Sequence, residues 1–140
     1  MNAVLLVGRI LFAALFITSG IAHFAKLEAM TGYAKYKKLP AAKLGVLASG
    51  LFFLLGGVYV ALGLWVDLGA LLLAITLVLA AVIFHNYWKE TDATAKMNEQ
   101  IAFNKDLALA GAALILFALI ASGNLTDFGP HVGSISWFNK

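Results

Sequence analysis

Four long apolar runs, each closed by a polar or turn-forming stretch, dominate the pattern along this 140-residue chain. They cover residues 3–22, 44–64, 68–84 and 107–121. Each approaches or reaches the roughly 20 residues that carry an α-helix across a hydrocarbon core about 30 Å thick. In lipid a backbone must satisfy its own N–H and C=O groups, and a helix does so within one segment. The pattern therefore predicts an all-α integral membrane protein, a bundle of four transmembrane helices forming a single domain over residues 1–140. The first run has no basic stretch ahead of it, is long for a signal-peptide core and is followed by no small-residue cleavage site, so it reads as a retained span.

The segments between the runs differ in kind. Residues 26–43 form a polar loop containing YAKYKKLP, and Pro40 marks its end because proline suits a first helical turn. Trp65, Val66 and Asp67 leave room only for a tight turn between the second and third runs. Residues 85–105 separate the third and fourth, and TDATAKMNEQIAF within them has a helical composition that either extends the fourth helix or lies along the interface. The tail, 123–140, is broken by Gly129, Pro130 and Gly133.

Composition narrows the function classes. Charged residues make up 12% of the chain and hydrophobic ones 62%, whereas a soluble domain carries about 25% charge. Too little chain remains outside the bilayer for a soluble enzyme or a sequence-specific nucleic-acid reader. There is no cysteine, which excludes a thiol–disulfide enzyme, thiolate-bound zinc and iron–sulfur clusters.

The lysines then orient the bundle. Lys26, Lys35, Lys37, Lys38, Lys43, Lys89, Lys96 and Lys105 all fall in the two long loops, 26–43 and 85–105, and only Lys140 lies beyond the opposite ends of the spans. By the positive-inside rule these loops are cytoplasmic and both termini face outward. The lysines interleaved with Tyr33 and Tyr36 serve as a topology signal, and also attract anionic lipid at about 1 kcal/mol each.

Two features bear on packing. Gly45, Ser49, Gly56 and Gly63 form a small-residue seam on the second span, with Gly50, Gly57 and Ala61 on a neighbouring face; such faces allow close helix approach, within the chain or between copies. Arg9 lies inside the first span, where a charge costs roughly 2.5–3.5 kcal/mol unless it is paired or reaches the interface. Asp67 is on the same outer side, so an Arg9–Asp67 ion pair is expected.

At the inner end His23 and His85 terminate the first and third spans, near Trp88, Asn104, Lys105 and Asp106. Three readings stand. The residues are interfacial, with Asn104 capping the fourth span; or His23, His85, Trp88, Lys105 and Asp106 hold a quinone or another amphipathic molecule whose tail lies between helices; or the two histidines ligate haem, with no further haem signature. A divalent metal would need a third ligand, so no metal site is assigned. Polar residues at mid-depth are few, which speaks against a water-filled path.

The blocks GRILFAALFITSGIAHF, KLGVLASGLFFLLGGVYVALGLWVDLGALLL, FHNYWKE and NKDLALAGAALIL resemble the DoxX family of small four-helix bacterial membrane proteins. The last two are the most specific. Arg9, Gly20, His23, His85, Trp88, Asn104, Lys105 and Asp106 lie within matching blocks. The resemblance implies a protein of the bacterial cytoplasmic membrane associated with redox systems, as a subunit of a thiosulfate:quinone oxidoreductase or a partner of oxidative-stress enzymes. The expectation is a membrane subunit or docking partner of a redox complex, with a non-catalytic assembly protein, including a homo-oligomer, as the alternative.

Overall fold

The computed structural model describes residues 1–139, so Lys140 at the end of the tail lies outside the described residues. The chain forms α1 (Asn2–Ala25), α2 (Leu27–Tyr36), α3 (Ala42–Leu62), α4 (Val66–Ile83), a single 3-10 turn (Tyr87–Lys89) and α5 (Ala93–Ala121). Four of these segments are long and apolar enough to cross a membrane, the third of them being α4 together with the turn after it. The fold is all-α, and the protein is a multi-pass membrane protein.

The stretch expected as a polar loop contains a helix. Leu27, Met30 and Ala34 recur at helical spacing, and they pack against Ala42, Val46 and Phe84 in a small apolar cluster apart from the main core. That burial stabilises α2 despite its lysines. Lys38 and Ala41 both adopt positive φ, 61° and 50°, which turns the chain into α3. Pro40 consequently stands just ahead of the cap at Ala41 instead of in the first helical turn.

The fourth span is one continuous helix of 29 residues. At 1.5 Å per residue it is about 43 Å long, so several turns of it stand beyond the hydrocarbon core. Its cap is Asp92, whose carboxylate accepts from the Ala95 N–H at 2.9 Å. Asn104 lies inside this helix and is exposed; it caps nothing.

Helix α3 is central, packing on α1, α2 and α4, while α5 packs on α4. Its two small-residue tracks lie about 120° apart around the axis and serve different neighbours. A Cβ on Gly57 would approach the backbone of Ile17 and Ala13, and one on Gly20 of α1 would lie 2.8 Å from Gly50 O and Leu54 N. On the other side Gly56 faces Leu73 and the Gly69 carbonyl. Along the same track Gly45 abuts Leu39, and Gly63 takes a left-handed turn against His131 and Arg9. Both tracks are thus used within the chain. Phe16, Phe53, Leu73, Leu77, Ala113 and Ile120 fill the core between the helices.

Residues 123–139 of the tail have no regular secondary structure, yet they close one end of the bundle. Trp65 and Val66 open α4, where backbone N–H groups lack helical partners; they donate to Ser134 O at 2.8 Å and Ile135 O at 2.7 Å. Val132 N–H donates to Leu62 O at 3.0 Å. Phe128 is almost fully buried.

This tail replaces the expected Arg9–Asp67 pair. Arg9, 6% exposed, donates from Nη1 to Phe128 O at 2.7 Å and from Nη2 to Pro130 O at 2.6 Å, with its guanidinium 5.1 Å from the Phe128 ring centre. Asp67, fully buried, accepts from the Ser136 hydroxyl and from the backbone N–H groups of Leu68, Trp137 and Phe138. The two side chains bind the tail and not one another. The sequence shows the charges but not that an irregular segment folds back to supply backbone partners.

Candidate functional site

The opposite, lysine-rich end is built differently. α4 stops at Phe84, and His85 follows as the chain breaks toward the 3-10 turn. On α5, Glu99 and Asp106 are seven residues apart, two turns on one face about 10.5 Å apart along the axis. The His85 ring bridges them: Nδ1 lies 2.8 Å from Glu99 Oε2 and Nε2 lies 3.5 Å from Asp106 Oδ2. A neutral imidazole has one N–H for these two carboxylates, and an imidazolium has two.

Helix α2 locks this arrangement from outside. The Tyr33 hydroxyl donates to Glu99 Oε1 at 2.5 Å and contacts Phe84 O at 3.2 Å. Burial, reinforced by the bond to Glu99, pushes the Tyr33 phenol well above its ordinary pKa, so it stays a donor throughout the neutral range. Lys37, its side chain only 4% exposed, donates to Asn86 Oδ1 and Glu90 Oε1, both at 2.9 Å. The ammonium also stands over the Tyr33 and Tyr36 rings at 5.5 and 5.8 Å.

Beneath this network lies a cavity of about 250 Å³. Leu15, Phe16, Phe53, Leu77, Ala80 and Leu109 give it an apolar floor, and Ser19, His23, Ser49, Tyr33, His85, Lys105 and Asp106 supply its polar groups. Gly50 leaves the space His23 needs, because a Cβ there would lie 2.5 Å from His23 Cβ. The His23 ring packs edge-on against Phe53 and its Nδ1 lies 2.7 Å from Ser19 O. Asp106 is 6% exposed, but its charged neighbours, His85 Nε2 at 3.5 Å and Lys105 Nζ at 3.8 Å, stand beyond ordinary hydrogen-bond length.

Of the residues singled out in the sequence, His23, His85, Lys105 and Asp106 meet at this cavity, and Ser49 of the small-residue seam also lines it. Trp88 does not. It is half exposed and packs edge-on against Tyr87 and Phe103, at 5.4 and 5.6 Å between ring centres. The sequence reading missed Glu99, Tyr33 and Lys37. The seven-residue spacing of Glu99 and Asp106 was a usable signal for the first; the other two were hidden among lysines that signal topology. Among the described residues no group of three His, Asp or Glu side chains is placed to hold a metal ion.

A four-span membrane bundle, closed at one end by its own tail and holding a polar-rimmed cavity at the other, is the class that fold and site define. The chain belongs to the DoxX family, whose model matches residues 4–86. DoxX proteins are membrane proteins often associated with redox-related functions. The match runs from α1 past the end of α4, so it includes His23 and His85, while Glu99, Lys105 and Asp106 of α5 lie beyond it. No curated protein and no solved structure matches the chain.

Proposed function

We propose that this protein is a membrane subunit or docking partner of a bacterial redox complex, and that its cavity binds the ring of a quinone-type molecule. The observation that carries this reading is the cavity itself, apolar below and rimmed by His23, His85, Lys105 and Asp106. A void of about 150 Å³ admits benzene, so about 250 Å³ accommodates one substituted ring, with a prenyl-type tail leaving between helices. Ligand sites of this kind combine mostly apolar walls with a few convergent polar groups. Haem fits less well, because His85 already directs both ring nitrogens at carboxylates.

The lysine-rich loops support an orientation in the bacterial cytoplasmic membrane with the cavity near the inner face and both termini outward. As for the assembly alternative, the small-residue tracks of α3 that would favour a second copy are occupied by α1 and α4. Extraction of the protein purified from membranes in mild detergent tests the proposal. Wild-type chain is expected to retain quinone in stoichiometric amount and His85→Ala to lose it; wild-type chain free of quinone would contradict the reading.

A further inference from the structure

Two acceptors that line the cavity receive no hydrogen bond from the described residues. The Ser19 carbonyl can only accept, so the 2.7 Å contact fixes the proton of a neutral His23 ring on Nδ1. Its Nε2 then carries a lone pair, and no described residue donates to it. Asp106 is the second. Its carboxylate is nearly buried, lines the same cavity and receives no hydrogen bond among the described residues, only the charge contacts at 3.5 and 3.8 Å. An acceptor that an occupant closes off from water and leaves unmatched costs far more than a matched one contributes, so an occupant is selected by what it donates.

The donors that face the cavity are less confined than Asp106: the Ser19 and Lys105 side chains line it without a hydrogen bond of their own among the described residues, and Lys105 reaches water. Ser49 donates its hydroxyl proton to Val46 O at 3.1 Å, and Tyr33 is committed to Glu99. The Lys105 side chain, 57% exposed, stays at the mouth, and Ser19 can turn its hydroxyl either way.

We infer that the cavity recognises the reduced, hydroxyl-bearing form of its ring, a hydroquinone or similar phenolic diol, through His23 Nε2 and the Asp106 carboxylate. The inference rests on the proposal that a quinone-type ring occupies the cavity, and it concerns binding alone. An oxidised ring offers only carbonyl oxygens, which leave both acceptors unmatched; a diol matches them.

Anaerobic calorimetry on the full chain in mild detergent separates the two ideas. The probes are trimethylhydroquinone, trimethylbenzoquinone and the dimethyl ether of the first, which keeps the ring and removes both donors. The diol is expected to bind on the order of tenfold more tightly than either of the others. That preference should shrink in His23→Phe and in Asp106→Asn. If the quinone or the ether binds as well as the diol, the selectivity is refuted while the cavity reading stands. A preference that persists undiminished in both variants would refute the assignment to these residues. If none of the three binds, the cavity reading itself fails and the inference with it.

Discussion

The two ends of the bundle treat buried charge in opposite ways. At the tail end, Arg9 and Asp67 are surrounded by complementary backbone: two carbonyls hold the guanidinium, and three N–H groups and a hydroxyl hold the carboxylate. At the lysine-rich end, Asp106 is about as buried as Arg9 but borders a cavity and receives no hydrogen bond among the described residues. Charge that the chain itself satisfies stabilises the fold. Charge left with vacant hydrogen-bonding capacity destabilises the site, and under the proposed function a ligand supplies the missing partner. Arg9 keeps one buried nitrogen, Nε, without a partner among the described residues, so the ends differ in how many hydrogen bonds each charge receives, and burial alone does not distinguish them.

Mutations should expose that difference most strongly at the tail. Asp67→Ala leaves four donors facing a void and is expected to cost about 3–5 kcal/mol in denaturant titrations in detergent. Arg9→Gln removes two charge-assisted bonds to Phe128 and Pro130 carbonyls, with an expected cost of about 2–3 kcal/mol. The same titrations should show this loss accompanied by faster proteolysis within residues 123–139.

Smaller effects are expected at the other end. Tyr33→Phe removes the bond to Glu99 and should cost about 0.5–1.5 kcal/mol. Because the folded-state phenol pKa is raised, this contribution is complete below the ordinary phenol value of about 10 and declines only as pH rises above it. The wild type and Tyr33→Phe should therefore differ equally at pH 6 and 8, values chosen well below that limit. Asp106→Asn breaks no hydrogen bond, so its stability should stay within about 0.5 kcal/mol of wild type or rise slightly. A loss at Asp106 as large as that at Asp67 would erase the contrast between the ends.

Much of this arrangement was legible in the sequence. Length and hydropathy of the four runs dictate the spans, and helix ends placed His23, His85, Lys105 and Asp106 at one level because a helix advances a fixed distance per residue. What escaped was non-local. Arg9 and Asp67 could be recognised as needing partners, but a glycine- and proline-broken tail gives no periodic signal of where it will fold. The helix α2 was obscured because its apolar residues are few and its lysines read as topology. Trp88 shares a sequence block with His85, yet the 3-10 turn rotates it away onto Tyr87 and Phe103, a local twist that no periodicity conveys.

The most direct measurement of the central claim is ligand retention when the cavity is filled from within. Ser49→Phe places a ring in the cavity beside His23 and leaves the tail's contacts to Arg9 and Asp67 untouched. Mass spectrometry of solvent extracts from protein purified in parallel should find a quinone-type molecule in stoichiometric amount with the wild type and none with a folded Ser49→Phe chain. Equal retention by the two, or none by the wild type, would contradict the assignment of this end of the bundle as the ligand site.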